Sequence, residues 1–169
     1  VVELIERIGE NARESITNLS DIVWSINPLN DSGELVLRRM ESFATSVLAS
    51  KNIALDFSYD KDLLKKEFNL DLRQNLFLVF KEAINNVVKY SGATRVVVTI
   101  NYENKKLKLL ISDNGHGFDI NQMTSGNRIQ GSGGNGLRNM KLRSGQLKGQ
   151  FEIDSTPSGT RVVLVVSLL

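Results

Sequence analysis

The chain contains no cysteine, which excludes disulfides, thiolate metal sites and cysteine nucleophiles. It has a single histidine, His116, too few for a multi-histidine metal centre. Its longest apolar runs, such as Val162 to Val166, are far too short to cross a bilayer, and its first residues do not read as a signal peptide. The simplest expectation is a soluble, cytoplasmic protein, with any membrane attachment made through segments outside this sequence. What is present is ordinary globular material: 169 residues, 41% hydrophobic and 24% charged, enough for one compact domain with a short appendage.

The net charge of +2 hides an asymmetry. Residues 1–60 carry 5 Lys and Arg against 10 Asp and Glu, whereas residues 101–150 carry 8 against 3. The second stretch also holds nine of the thirteen glycines. Basic side chains among glycines suit an anionic ligand whose oxygens need cations and a close backbone; a solvated flexible loop is the plainer alternative. Nucleic acid fits poorly, because no aromatics are interleaved there to stack on bases.

Residues 1–26 read as one helix, about 39 Å long at the usual rise. Ile5, Ile8, Ala12, Ser15, Leu19, Ile22 and Ile26 step by three and four, the period of a helix seam, and Val1, Ile16 and Val23 widen the stripe. Such a stripe either packs on its own domain or meets a partner helix outside the chain. Asn27-Pro28 ends the helix and Asn30-Asp31-Ser32-Gly33 turns the chain. The pattern then predicts a helix over 35–50, a strand over 53–59, a mixed stretch over 60–71 and a long helix over 72–90 stopped by Ser91-Gly92. Strands are expected over 95–102 and 106–113 around Glu103-Asn104-Lys105. A helix over 137–144 and a hairpin over 149–155 and 160–168, turning at Pro157-Ser158-Gly159, complete the order. This order predicts an α+β two-layer sandwich, a mixed, mainly antiparallel sheet packed on about three helices and preceded by the long N-terminal helix.

Three clusters carry candidate chemistry. Glu82, Asn85, Asn86 and Lys89 lie three to four apart on the long helix and so form one polar stripe. A carboxylate, amide oxygens and an ammonium can orient water, ligate a hard cation and meet a phosphate, although a solvated helix face looks the same in sequence. Asp113-Asn114-Gly115-His116-Gly117-Phe118 follows an apolar strand; its acid accepts hydrogen bonds, and its glycines let backbone approach a flat ligand or simply make a turn. Gly131-Ser132-Gly133-Gly134-Asn135-Gly136-Leu137 reads as a glycine loop feeding a helix N-terminus, which presents free N–H groups to phosphate oxygens. Gly131, Gly133 and Gly136 match the dinucleotide spacing, but polar loop precedes them instead of a strand, so that reading fails.

In this order the clusters resemble the histidine-kinase branch of the ATPase superfamily shared with gyrase, mismatch-repair ATPases and heat-shock chaperones. Lys81 to Ser91 resembles its N-box, Asp113 to Phe118 its first glycine box, and Gly134-Asn135-Gly136-Leu137 its second, with Met140, Arg143 and Gly159-Thr160 at familiar positions. The resemblance covers essentially the whole chain. Ile22-Val23-Trp24-Ser25-Ile26-Asn27-Pro28 further resembles the end of the dimerisation hairpin in the nitrate-sensor and thermosensor kinase subgroup.

The resemblance implies ATP and Mg²⁺ as ligands. It implies that Asp113 accepts the adenine amino group with Thr160 in support, that Asn86 ligates Mg²⁺, and that Lys89 reaches a phosphate. Glu82 would stand near the γ-phosphate, as an orienting group or as a base. Asn85 and Tyr90 would flank the nucleotide, Gly115 and Gly117 would make room for the base, and Gly134, Gly136 and Leu137 would cradle the phosphates under a lid over residues 119–133. Residues 1–28 would be the second helix of a dimerisation and phosphoacceptor hairpin, and 29–169 the kinase catalytic domain. The acceptor histidine then lies outside this sequence, in a full-length homodimer that relays phosphate to a response-regulator aspartate. A nucleotide-responsive module without transfer and an anti-sigma-type serine kinase are the alternatives.

Overall fold

The computed structural model describes residues 8, 9, 12, 16, 19, 20, 23, 24, 26–119 and 134–168. Ile5, Ser15 and Ile22 of the expected seam, and all of the expected lid except Asp119, fall outside them. The described residues from Ile8 to Ile26 are helical, and Ile8, Ile16, Leu19, Val23 and Ile26 stand 55–67% exposed. The described part of the stripe therefore does not pack on its own domain. Trp24 is different. Its ring lies 6.3 Å from that of Phe77, with the Arg39 guanidinium 4.3 Å over it. Asn30 Nδ2 donates to the Trp24 carbonyl at 2.8 Å, closing the helix end that Pro28 forces.

Helix α1 spans Gly33–Ala49 and buries Val36, Leu37, Met40, Ala44 and Leu48, the spacing of one helical face. The stretch expected to be mixed is a 3₁₀ turn over Lys61–Lys65 and a lone bridge between Ser32 and Glu67. Helix α2 spans Leu70–Asn86 and starts two residues before the apolar pattern does. The reason is a cap: the Asn69 side chain accepts the Leu72 N–H at 2.9 Å. The Arg73 side chain is almost wholly enclosed, pairs with Asp31 and donates to the Phe68 carbonyl; burial pushes its pKa down. That pair ties the turn after the leading helix to the start of α2.

Strand β1 (Ala54–Tyr59) runs parallel to β2 (Arg95–Glu103). Strand β2 pairs antiparallel with β3 (Lys106–Asp113), β3 with β5 (Gly159–Ser167), and β5 with the edge strand β4 (Gln150–Thr156). The sheet order is β1-β2-β3-β5-β4. Asn104 and Lys105 both take positive φ, 51° and 59°, as a two-residue hairpin turn requires. Val96, Val98 and Ile100 of β2, and Leu107, Leu109 and Ile111 of β3, are buried at alternate positions, so one sheet face carries the core. Helices α1, α2 and α3 (Gly134–Gln146) cover that face, giving the α+β two-layer architecture expected.

Two boundaries depart from the sequence reading. The long helix does not run as α-helix to Tyr90: after Asn86 the chain widens into a π turn over Val87–Ser91, ended by Gly92 at φ 62°. The second glycine box is not a loop ahead of a helix beginning at Leu137. The helix begins at Gly134, so Gly134 and Gly136 sit in its first turn.

Candidate functional site

The polar stripe divides at the π turn. Glu82, Asn85 and Asn86 are half-buried on the last turns of α2, whereas Lys89 and Tyr90 are exposed on the wider turn beyond it. On the opposite side of α2, Leu76, Val79, Phe80 and Ala83 are buried in the core and fix the helix in place. The stripe is thus presented from a rigid support.

Ser91, at the end of the π turn, joins this helix to the first glycine box. Its hydroxyl donates to the Val87 carbonyl at 2.8 Å and accepts the Ala93 N–H at 3.0 Å, and its own carbonyl accepts the His116 N–H at 3.0 Å. Asp113 ends β3 with 8% exposure, and its Oδ1 accepts the Gly115 N–H at 2.8 Å. Asn114 Oδ1 accepts the N–H groups of Thr94 and Arg95 at 3.0 and 2.9 Å, locking the box to the start of β2. A carboxylate held this way keeps lone pairs for an amino group while its chain cannot turn away.

The β4–β5 turn closes the other side. Gly159, at φ 131°, lies so close to the Asp113 carbonyl that a Cβ there would stand 1.9 Å from the oxygen. The Thr160 hydroxyl is 3.2 Å from Ser155 Oγ, which accepts the Phe118 N–H at 2.7 Å. The structure therefore brings the end of the N-box, the first glycine box and Gly159-Thr160 to one end of the sheet.

Close protein neighbours also require these glycines. A Cβ at Gly115 would meet the Ser91 carbonyl at 2.3 Å, and one at Gly117 the Thr156 carbonyl at 2.1 Å. What these two glycines accommodate in the structure is neighbouring backbone. At Gly136 the neighbour is a functional group: a Cβ would stand 2.1 Å from Glu82 Oε1. The first turn of α3 thus lies directly against the Glu82 carboxylate, and Leu137 is half-buried beside it. Sequence reasoning missed Ser91, Asn114 and Ser155, whose polar atoms hold the box together; a serine or asparagine next to a glycine box signals nothing by itself.

Among the described residues no group of three or more His, Cys, Asp or Glu is placed to hold a metal. The Asn86 carboxamide makes no hydrogen bond among the described residues, which leaves its oxygen available. This donor set fits Mg²⁺ shared with phosphate and water oxygens, and does not fit an all-protein cage.

The geometry agrees with the comparisons to known proteins. The family model described as "Histidine kinase-, DNA gyrase B-, and HSP90-like ATPase" matches residues 71–169. The chain belongs to this ATPase family. It is 35% identical over 112 residues to the sensor histidine kinase MctS of Rhizobium johnstonii, covering 66% of this chain and 23% of MctS. It is 23% identical over 168 residues to the sensor histidine kinase LiaS of Bacillus subtilis, covering 99% of this chain and 44% of LiaS. The chain thus spans less than half the length of these relatives. Among solved structures, the histidine kinase AdeS of Acinetobacter baumannii superposes with a TM-score of 0.67 at 16% identity, over 98% of this chain and 85% of that one, and shares its fold. An ATPase domain of this family binds ATP, and no helix among the described residues is long and apolar enough to cross a membrane.

Proposed function

We propose that this chain binds Mg²⁺-ATP and transfers its γ-phosphoryl group to a histidine outside the sequence, for relay to an aspartate of a response regulator. The observation that carries this reading is the junction at Ser91, which sets buried Asp113 and the Glu82–Asn86 stripe on one support. Asp113 recognises the adenine amino group, with Thr160 behind it. Asn86 holds Mg²⁺, which neutralises charge on the phosphates. Lys89 pairs with a phosphate oxygen, Asn85 and Tyr90 flank the nucleotide, and the first turn of α3, with Gly134, Gly136 and Leu137, faces the phosphates. In the transfer, an imidazole nitrogen attacks the γ-phosphorus, a P–N bond forms, and the bond to the bridging oxygen breaks so that ADP leaves with the electron pair. Glu82 orients the incoming group. Such transfer needs positioning and charge neutralisation more than covalent help, which matches a site made of amides, carboxylates and a helix end.

Residues 1–28 act in this reading as the second helix of the dimerisation and phosphoacceptor hairpin, and 29–169 as the catalytic domain. The exposed described residues of the leading-helix stripe support a partner helix and, in the longer protein, a homodimer. The test supplies an acceptor hairpin as a separate polypeptide with γ-³²P-ATP. Acid-labile, base-stable label on the hairpin histidine is the expected result. Acid-stable label points to a serine kinase, and absence of transfer despite ATP binding leaves a nucleotide-responsive module.

A further inference from the structure

Strand β1 forms one margin of the sheet, and among the described residues its outer edge pairs with nothing. The Ala54 N–H donates to the Thr94 carbonyl and the Asp60 N–H to the Ile100 carbonyl, each at 2.9 Å, at the two ends of the ladder with β2. In a parallel ladder, alternate residues turn both backbone groups toward the same neighbour. Ala54, Asp56, Ser58 and Asp60 therefore face β2, and Leu55, Phe57 and Tyr59 hold their N–H and C=O groups toward the open edge. Exposed edges are usually blunted by proline, lysine or a bulge; the run from Ala54 to Tyr59 has neither residue, and its register is unbroken. An open cleft of about 530 Å³ lies along this edge, lined by Glu41, Thr45 and Ala49 of α1 and by Leu55 and Phe57 of β1. The Phe57 ring meets that of Phe80 edge-on at 6.2 Å, which anchors the cleft to the core.

We propose that the β1 edge takes an extended segment of a partner protein as an added strand, with apolar side chains over Leu55 and Phe57 and a lysine or arginine for Glu41. Backbone bonds to Leu55, Phe57 and Tyr59 supply affinity for any extended chain, and the cleft supplies selectivity. A short turn joins α1 to β1, so Ala49 stands beside the start of the strand and Glu41, two helical turns back, beside its end. The Glu41 side chain makes no ion pair or hydrogen bond among the described residues. The other acid lining the cleft, Asp56, is matched by Arg95. Glu41 is thus the unmatched charge, and it selects a basic occupant. A second copy of this chain is disfavoured, because pairing β1 with itself would bring the acids of both cleft walls together. None of these residues belongs to the candidate nucleotide site, so the inference stands apart from the kinase reading.

The test combines amide hydrogen exchange, read residue by residue by NMR, with peptide titration. The probes are a short blocked peptide alternating lysine and valine, its glutamate–valine counterpart, and the lysine–valine peptide N-methylated at alternate residues. In the free chain the amides of Leu55, Phe57 and Tyr59 should exchange at least about tenfold faster than those of Asp56 and Ser58. The lysine–valine peptide should slow the three fast amides by about tenfold or more at saturation, and the other two peptides should not. Glu41→Lys, at an exposed helix position, should weaken binding about tenfold; Thr45→Arg, which sets a cation in the same cleft, replaces it if that variant does not fold. Protection of Leu55, Phe57 and Tyr59 in the free chain at high dilution overturns the proposal, because the edge is then already covered. Protection that grows with protein concentration alongside a dimer in sedimentation overturns it in favour of a second copy. Equal binding of the glutamate–valine peptide, affinity unchanged by Glu41→Lys, or no protection of these amides at saturating lysine–valine peptide overturns it as well.

Discussion

The Ser91 carbonyl accepts the His116 N–H at 3.0 Å, and a Cβ on Gly115 would press on that same carbonyl at 2.3 Å. One backbone oxygen thus binds the end of the N-box to the first glycine box, two segments separated in sequence by a complete hairpin. Buried Asp113 and the polar stripe from Glu82 to Asn86 are held relative to one another by that junction.

Asp113→Asn keeps the oxygen that accepts the Gly115 N–H, so the box should hold its shape while losing the negative charge. ATP affinity should fall at least tenfold, about 1.4 kcal/mol, with the thermal midpoint nearly unchanged. Calorimetry showing unaltered ATP affinity would remove Asp113 from base recognition.

Gly115→Ala and Gly136→Ala should separate stability from activity. The first sets a methyl group against backbone, which cannot yield, and should cost about 1–3 kcal/mol in denaturant unfolding. The second meets the tip of a flexible glutamate, which can swing aside, so the unfolding midpoint should move little while phosphoryl transfer falls. Equal stability losses in the two variants would contradict the contrast.

Asn86→Ala should weaken ATP binding strongly in magnesium and little in excess chelator. Equal losses under both conditions would argue that Asn86 touches the nucleotide without a metal between them.

Trp24 is the single tryptophan of the chain and packs beside Phe77 with the Arg39 guanidinium against both rings, so its fluorescence reports the docking of the leading helix. Arg39→Ala should shift its emission to longer wavelength and raise its quenching by acrylamide. Emission unchanged by that substitution would show that the ring is held elsewhere.

The sequence was informative where one residue type has one physical use. Leu76, Val79, Phe80 and Ala83 announce the buried face of α2, and alternation announces β2 and β3. It was silent where geometry depends on distant neighbours. Nothing in Val87 to Ser91 distinguishes a π turn from another turn of α-helix, because the wider turn is set by Ser91 reaching both Val87 and the glycine box. Gly134 and Gly136 read as loop by propensity, yet both lie in the first turn of α3, where Gly136 packs against Glu82 of α2. The candidate site residues were named from their pattern; the polar atoms that support them, on Ser91, Asn114 and Ser155, were not.

Among the described residues strand β1 finds its only sheet partner in a strand far ahead of it in the chain, with Ala54 beside Arg95. During synthesis, this segment must wait for α2 and β2 to emerge before its backbone groups can be paired. That pairing is a non-local contact, so the β1 margin is completed only after α2 and β2 are present. Until then half-buried Leu55 and Phe57 lack the neighbours that cover them in the finished sheet.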